Sequence, residues 1–189
     1  MNELSWWLLQ RRLGSIRLLV LDVDGVLTDG GLWLDAKGNL NKRFDARDGL
    51  GIRLLIQEGL HIAFLSGGQG GATEARAQQL GIIHCLVGIQ DKRAALIALQ
   101  NQLGVSTAQT AFVGDDLNDL AVRPVVGLLF SPADACKPIL RSADAVLQRK
   151  GGHGAVRELA ERILQVQGRW ERLRREGWNE GNDFPPLNN

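Results

Sequence analysis

Five short apolar segments alternate with amphipathic stretches along this chain. The segments lie at 17–22, 61–65, 83–87, 110–113 and 125–129. Runs this short and this uniformly apolar, bounded by glycine, aspartate or proline, are typical of strands buried on both faces of a sheet. Helical patterns near 48–58, 71–80, 91–103 and 116–122 lie between them. The alternation predicts an α/β fold, a Rossmann-like doubly wound parallel sheet with right-handed crossovers.

Two segments depart from this alternation. Residues 31–45 alternate around the turn sequence Ala36-Lys37-Gly38-Asn39, which predicts a β-hairpin inserted after the first strand. From about 155 onward, apolar residues recur at helical spacing and predict a C-terminal helix with one apolar face that reaches Trp170. Residues 177–189 are rich in turn and breaker residues and predict an irregular tail.

The composition bounds the class of protein. The 189 residues are 44% apolar and 23% charged, as in an ordinary soluble domain, so we expect a single domain over 1–189. A net charge of +1 gives no general attraction to nucleic acid or to membranes. No apolar run approaches the ~20 residues of a membrane span, and the N-terminus has no signal-peptide pattern. We therefore expect a cytoplasmic protein that binds neither nucleic acid nor a membrane.

Polar residues follow the predicted strands at the points where the strands end. Asp22 and Asp24 come after the first strand and Ser66 after the second. Asp115, Asp116 and Asp119 come after the fourth, while Lys92 opens a helix after the third. The carboxyl ends of parallel strands meet at one edge of a sheet, so we expect these side chains to lie close together. This edge is where open α/β sheets place their sites.

The acidic residues predict a metal site. Two carboxylates at the end of a buried strand are costly in their charged form unless a cation compensates. A divalent ion with oxygen ligands, such as Mg²⁺, is the simplest candidate. We expect Asp22 and Asp115 to share it through their side chains and Asp24 to contribute its backbone carbonyl.

These residue types suit phosphoryl transfer. Asp22 can act as a nucleophile that forms an aspartyl-phosphate intermediate. Asp24, two residues further on, can protonate the leaving oxygen and then activate water. Ser66 and the glycine-rich turn that begins at Gly67 can hydrogen-bond phosphate oxygens, and Lys92 supplies a positive charge.

Each residue taken alone also has an ordinary structural explanation. An Asp-x-Asp-Gly sequence is often a turn with side-chain capping, Ser66 could be a loop serine, and Lys92 could be a solvated helix residue. Four such elements in this order, each at a strand end, favour a common site over four separate turns and caps.

The motifs resemble those of the haloacid dehalogenase superfamily of aspartate-nucleophile phosphatases. They are Asp22-Val23-Asp24-Gly25-Val26-Leu27-Thr28-Asp29-Gly30, Ser66, Lys92 and Gly114-Asp115-Asp116-Leu117-Asn118-Asp119. Within that superfamily, the chain is most similar to the 3-deoxy-D-manno-octulosonate 8-phosphate phosphatases and the related nonulosonate-9-phosphate phosphatases. The additional signatures are Phe44-Asp45-Ala46-Arg47-Asp48-Gly49-Leu50-Gly51-Ile52, Gln90-Asp91-Lys92 and Gly151-Gly152-His153-Gly154-Ala155-Val156-Arg157-Glu158. The resemblance covers about 16–168.

The resemblance implies a Mg²⁺-dependent sugar-phosphate phosphatase of lipopolysaccharide biosynthesis, without a separate cap domain. It also implies a homotetramer whose hairpins, here 31–45, assemble at the centre and partly cover neighbouring sites. The residues that it places near the substrate are Thr28, Gly67, Arg76 and Arg47.

One position departs from the subfamily pattern. The second motif usually reads Ser/Thr-Gly-Arg, with an arginine that helps to hold the sugar acid, whereas this chain has Gly68. Losing a guanidinium removes a bidentate contact to an anion. The expected substrate is therefore the octulosonate phosphate, with a different or broader set of small phosphorylated metabolites as the alternative.

Two other classes compete with the enzyme. A phosphoacceptor receiver domain also uses acidic residues and a lysine, but there the acidic pair follows the first strand and the acceptor follows a later one. The order of Asp22, Asp24 and Asp115 does not fit that arrangement. A catalytically weak tetrameric scaffold is the other alternative, and the intact acidic residues and Lys92 argue against it.

Overall fold

The computed structural model describes residues 3–178. The helices are α1 (Glu3–Gly14), α2 (Ala46–Gln57), α3 (Ala72–Leu80), α4 (Lys92–Leu103), α5 (Lys137–Ser142), α6 (Ala155–Val166) and α7 (Trp170–Glu176), with 3₁₀ helices at Thr107–Gln109 and Leu117–Val125. The strands are β1 (Leu18–Leu21), β2 (Trp33–Leu34), β3 (Leu40–Asn41), β4 (His61–Leu65), β5 (His84–Leu86), β6 (Thr110–Val113), β7 (Leu128–Ser131) and β8 (Ala145–Val146).

Six strands form one parallel sheet in the order β5-β4-β1-β6-β7-β8. The central strand β1 pairs Leu18 with His61 on one side and with Thr110 on the other. Its four residues are buried and alternate between two apolar cores. Leu19 and Leu21 face the core that α2 and α6 cover, whereas Leu18 and Val20 face the core beneath α4. This confirms the doubly wound α/β fold.

Several predicted elements differ from the observed ones. The segment expected to be a strand at 125–129 forms β7 three residues later, because a 3₁₀ helix runs on through Pro124 to Val125. The C-terminal helix ends at Val166, and Trp170 begins a separate helix after Gly168, whose φ of 72° favours glycine. The pattern did not predict α1, α5 or β8.

The segment after β1 contains a short antiparallel pair, with Trp33 opposite Asn41 and Leu34 opposite Leu40. The Asp35 carboxylate accepts hydrogen bonds from the backbone N–H groups of Lys37 and Asn39, both at 2.8 Å, and so shapes the turn. Of the predicted tail, only 177 and 178 lie within the described residues, and both lie outside helices and strands. Within the described range, no helix combines the length and apolar character needed to cross a membrane.

A buried carboxylate joins α2 to the start of α6. Asp48 accepts hydrogen bonds from the backbone N–H groups of Gly154 (3.1 Å) and Arg157 (2.8 Å). The glycine-rich loop before α6 lies against the loop after β1, where the Gly152 N–H donates to the Val26 carbonyl at 2.9 Å. Asp48 therefore fixes the loop that supports the end of the central strand.

Replacing Gly151 tests this packing. A Cβ atom at Gly151 would stand 1.8 Å from the Gly25 carbonyl oxygen, so Gly151→Ala must displace the loop after β1. We expect the free energy of unfolding in urea to fall by about 1–3 kcal/mol, the usual range for overpacking. The matched control is Gly14→Ala, whose Cβ would meet only Val166 at 3.5 Å. Equal stability of the two variants would contradict this packing.

Candidate active site

A cleft of about 390 Å³ lies at the carboxyl edge of the sheet, beside the ends of β1, β4 and β6. The structure brings together there Asp22, Asp24, Ser66, Gly67 and Asp115, as predicted. The remaining lining residues are Gly68, Asp116, Leu117 and Asn118. None of these lining residues is a lysine or an arginine, so any positive charge must come from outside the cleft wall.

Lys92 lies directly beneath Asp22. Its side chain is only 2% exposed, and its Nζ is 2.5 Å from Asp22 Oδ1 and 2.6 Å from Asp119 Oδ1. Lys92 is the first residue of α4, a helix whose start is capped by Asp91, which accepts a hydrogen bond from the Ala94 N–H. The cap and the helix thus aim the ammonium group at the end of the central strand.

The charges at this edge of the sheet shift one another's pKa values. Burial alone would lower the pKa of Lys92, but the neighbouring Asp22 and Asp119 outweigh it and raise that pKa. Burial, and then the charge of Asp119, raise the pKa of Asp22 to about 6 despite the opposing effect of Lys92. Burial and the other carboxylates raise the pKa of Asp115 to about 8. The site therefore holds more negative charge than Lys92 compensates.

Asp119 organises the acidic loop, a role that the sequence did not predict for it. Its Oδ2 accepts hydrogen bonds from the backbone N–H groups of Asp115 (2.9 Å) and Asp116 (3.3 Å). Asp119 belongs to the Gly-Asp-Asp-x-x-Asp motif, but nothing in that spacing indicates that its side chain is fully buried and paired with Lys92. Gly25 makes room for the same loop, because a Cβ there would stand 2.0 Å from Asp115 Oδ2.

The acidic residues fit a divalent cation. Carboxylate oxygens of Asp22, Asp115 and Asp119 lie within 4.8 Å of one another. Both oxygens of Asp119 are already engaged by Lys92 and by backbone N–H groups. Asp22 and Asp115 are therefore the better ligands, and their pKa values are raised by burial and then by repulsion between carboxylates, both of which a bound cation would offset. A ligand role for the Asp24 carbonyl stays a prediction.

Asp24 has a different environment, which sequence reasoning missed. Lys42, from the end of the β2–β3 segment, places its Nζ 2.8 Å from the Asp24 carboxylate and 3.2 Å from Thr73 Oγ1. Both carboxylate oxygens of Asp24, Oδ1 and Oδ2, lie 2.8 Å from this ammonium group. The two aspartates of the Asp-x-Asp sequence thus have separate lysine partners, Lys92 for Asp22 and Lys42 for Asp24.

Ser66 lies at the start of the glycine-rich turn after β4. Its hydroxyl accepts a hydrogen bond from the Gly68 N–H at 3.1 Å, and Gly68 in turn accepts one from the Gly88 N–H at 2.7 Å. The turn is therefore tied to the loop after β5. Ser66 and Gly67 both line the cleft.

Three predicted substrate-binding residues do not line this cleft. Thr28 is fully buried, and its hydroxyl accepts hydrogen bonds from the N–H groups of Gly25 (3.3 Å) and Gly30 (3.2 Å), so it shapes the loop after β1 and does not face the cleft. Arg47 and Arg76 also lie outside the set of residues that line the cleft.

Arg47 pairs with Asp45 at 2.6 Å, and this guanidinium lowers the pKa of Asp45 to about 2. Arg47 lines a separate cleft along α6. Arg76 donates to Gln79 Oε1 at 2.6 Å and lies over the Phe44 ring. In the described chain both arginines support the start of α2, and a role in substrate binding stays a prediction.

A protein of known structure indicates the class to which the chain belongs. A hydrolase of the haloacid dehalogenase superfamily, subfamily III A, from Legionella pneumophila is 40% identical with a TM-score of 0.86, covering 89% of this chain and 93% of that one. No family model matches the chain.

Two further relatives identify the family within that superfamily. The 3-deoxy-D-manno-octulosonate 8-phosphate phosphatase KdsC of Haemophilus influenzae is 42% identical over 161 residues, 85% of this chain and 89% of that protein. The structure of the phosphatase of that name from Moraxella catarrhalis, in complex with magnesium, phosphate and the KDO molecule, is 34% identical with a TM-score of 0.87 and covers 90% of this chain and 98% of that one. The chain belongs to the 3-deoxy-D-manno-octulosonate 8-phosphate phosphatase family of the haloacid dehalogenase superfamily.

The raised pKa values predict how the metal-free protein responds to pH. A carboxyl whose pKa is higher in the folded state stabilises the fold below its ordinary pKa, and this stability is lost as pH rises through the folded value. For Asp22 and Asp115 the loss runs from about pH 4 to the folded values of about 6 and about 8. We expect the melting temperature in EDTA to fall over this range and Mg²⁺ to raise it most at the alkaline end.

The control is Asp115→Asn, which removes one of the crowded carboxylates. It should melt higher than wild type in EDTA at about pH 8 and should lose most of the Mg²⁺ response. A wild-type melting temperature that matches Asp115→Asn at every pH, with and without Mg²⁺, would contradict this view of the site.

Proposed function

We propose that the protein is a Mg²⁺-dependent phosphomonoesterase that hydrolyses 3-deoxy-D-manno-octulosonate 8-phosphate through an aspartyl-phosphate on Asp22. The observation that carries this proposal is the position of Asp22, buried at the end of the central strand and held by Lys92 at 2.5 Å. Asp24 and Ser66 line the same cleft. The names of the curated relatives support both the reaction class and the substrate.

In the first step, an Asp22 carboxylate oxygen attacks phosphorus and the ester P–O bond breaks. Asp24 gives a proton to the leaving oxygen, which departs as the sugar hydroxyl. Lys92 keeps Asp22 oriented, and Ser66 with the N–H groups of its turn binds phosphoryl oxygens. The products of this step are the free sugar acid and phosphorylated Asp22.

In the second step, water attacks the same phosphorus and gives a proton to Asp24. The bond between phosphorus and Asp22 breaks, and inorganic phosphate leaves with both aspartates restored. A Mg²⁺ ion held by Asp22 and Asp115 supplies positive charge that offsets the negative charge of the phosphoryl group.

Gly68 favours a second candidate substrate class. It gives the cleft no side chain where the family usually has an arginine, so less of the sugar acid is held by charge. A different or broader set of small sugar phosphates is the alternative. The position of the protein in lipopolysaccharide biosynthesis depends on the octulosonate phosphate being the preferred ester.

The reaction is tested by replacing the nucleophile. Asp22→Asn should lower Mg²⁺-dependent phosphate release from a panel of sugar phosphates by about 10³-fold or more, because it removes the attacking group. The control is Glu171→Gln, an exposed carboxylate on α7 that should keep wild-type rates. Wild type and Asp22→Asn equally inert across the panel would overturn the proposal.

We also propose a cytoplasmic homotetramer assembled through the β2–β3 segment. Its apolar residues Leu32, Trp33 and Leu34 are 62%, 66% and 69% exposed in the single chain. A two-stranded hairpin is marginal without a partner surface, and large exposed apolar side chains favour burial against another copy. The ordinary composition and near-zero net charge support the cytoplasmic location.

Charged substitutions test the assembly. The pair Trp33→Glu and Leu34→Lys should lower the molar mass measured by light scattering, because charges oppose burial of this surface. Ile83→Lys, at a similarly exposed apolar residue near β5, is the control and should keep the wild-type mass. The proposal fails if wild type is a monomer, or if wild type and the double variant at Trp33 and Leu34 have the same molar mass.

A further inference from the structure

Lys42 is a buried cation at the edge of the site. Its side chain is only 1% exposed, although it belongs to a segment whose neighbours are largely open to solvent. A buried ammonium group is costly unless anions or dipoles compensate for lost hydration. Here the compensation comes from the Asp24 carboxylate at 2.8 Å and from Thr73 Oγ1 at 3.2 Å.

This contact joins three parts of the chain at one point. Lys42 follows β3, Asp24 lies in the loop after β1, and Thr73 lies in the first turn of α3. Asp24 is three residues beyond the end of β1, where the sheet no longer fixes its side chain. The ammonium group lies 2.8 Å from both carboxylate oxygens, Oδ1 and Oδ2, and so fixes the orientation of the carboxylate.

Gly68 leaves the space in which this pair lies. A Cβ atom at position 68 would stand 3.1 Å from Asp24 Oδ2, 3.4 Å from Ser66 Oγ and 3.7 Å from Lys42 Nζ. A side chain there would begin in tight contact with Asp24 and within ordinary van der Waals distance of the lysine. The glycine and the buried lysine therefore belong to one arrangement around Asp24.

We propose that Lys42 is the positioning residue for Asp24, holding its carboxylate where it reaches the leaving oxygen of the phosphate ester. The proposal rests on the proposed function, in which Asp24 transfers the proton. A small displacement of a proton-transfer group has a large effect on rate, because the reaction needs hydrogen-bond reach to the oxygen concerned. Lys42 acts through Asp24 and need not contact the substrate.

Substrates whose leaving groups differ in basicity can distinguish a positioning role of Lys42 from a purely structural one. A sugar alkoxide must be protonated as it leaves, whereas p-nitrophenolate leaves without a proton. The constant kcat/KM covers only the steps up to transfer of the phosphoryl group to Asp22, so it excludes the later attack of water. A loss of kcat/KM confined to the sugar ester therefore reports on the position of Asp24.

The experiment measures kcat/KM for 3-deoxy-D-manno-octulosonate 8-phosphate and for p-nitrophenyl phosphate with saturating Mg²⁺. Lys42→Met should lower the value for the sugar ester by about 10²-fold and that for p-nitrophenyl phosphate by less than about threefold. Lys42→Arg keeps the charge and should recover about tenfold of the loss. The control is Lys37→Met, an exposed lysine in the same segment, which should match wild type.

Equal losses on the two esters, or no loss on either, would overturn the role of Lys42. Wild type that is inert on both esters would instead overturn the proposed function, so the two failures are distinguishable. If Lys42→Met does not fold, Lys42→Arg carries the test. Its loss must then be larger on the sugar ester than on p-nitrophenyl phosphate, and an equal loss would contradict the proposal.

Discussion

The ion pair between Lys92 and Asp22 is the interaction on which the site depends. Lys92 Nζ lies 2.5 Å from Asp22 and 2.6 Å from Asp119, and all three side chains are buried. Without the lysine, the end of the central strand would hold several carboxylates in an apolar environment, at a large cost in free energy. The start of α4, the end of β1 and the acidic loop after β6 are therefore fixed relative to one another by charge.

Close backbone contacts also fix the positions of the surrounding loops. Asp115 lies against Gly25, and Gly151 lies against the Gly25 carbonyl, so the loop after β1 has little freedom to move. Asp48 holds the other side of that arrangement by accepting two backbone hydrogen bonds at the start of α6. Rigid positioning of this kind is what a proton-transfer group and a nucleophile two residues apart require.

The sequence predicted the parallel sheet and most of the cleft, because both depend on local patterns. Each buried strand is a short apolar run. Asp22 and Ser66 follow such runs directly, and Asp115 follows one after a single glycine. Contacts between distant segments were not predictable in the same way. Lys42 and Thr73 are 31 residues apart and meet only in the folded chain.

Thr28 shows that a motif match does not reveal which contacts a side chain makes in the folded chain. It matched a motif, but its hydroxyl is used within its own loop. The shift of β7 has a local cause, since residues up to Val125 continue a 3₁₀ helix that the apolar pattern did not distinguish from a strand.

The most direct test of the account is the location of the phosphoryl group during a single turnover. Asp24→Asn should slow the attack of water and let the intermediate accumulate, with p-nitrophenyl phosphate as substrate and Mg²⁺ present. After acid quench, mass spectrometry should find one added phosphoryl group on the peptide that contains Asp22. Release of p-nitrophenol with that peptide unmodified, or with the phosphoryl group on another residue, would contradict the account.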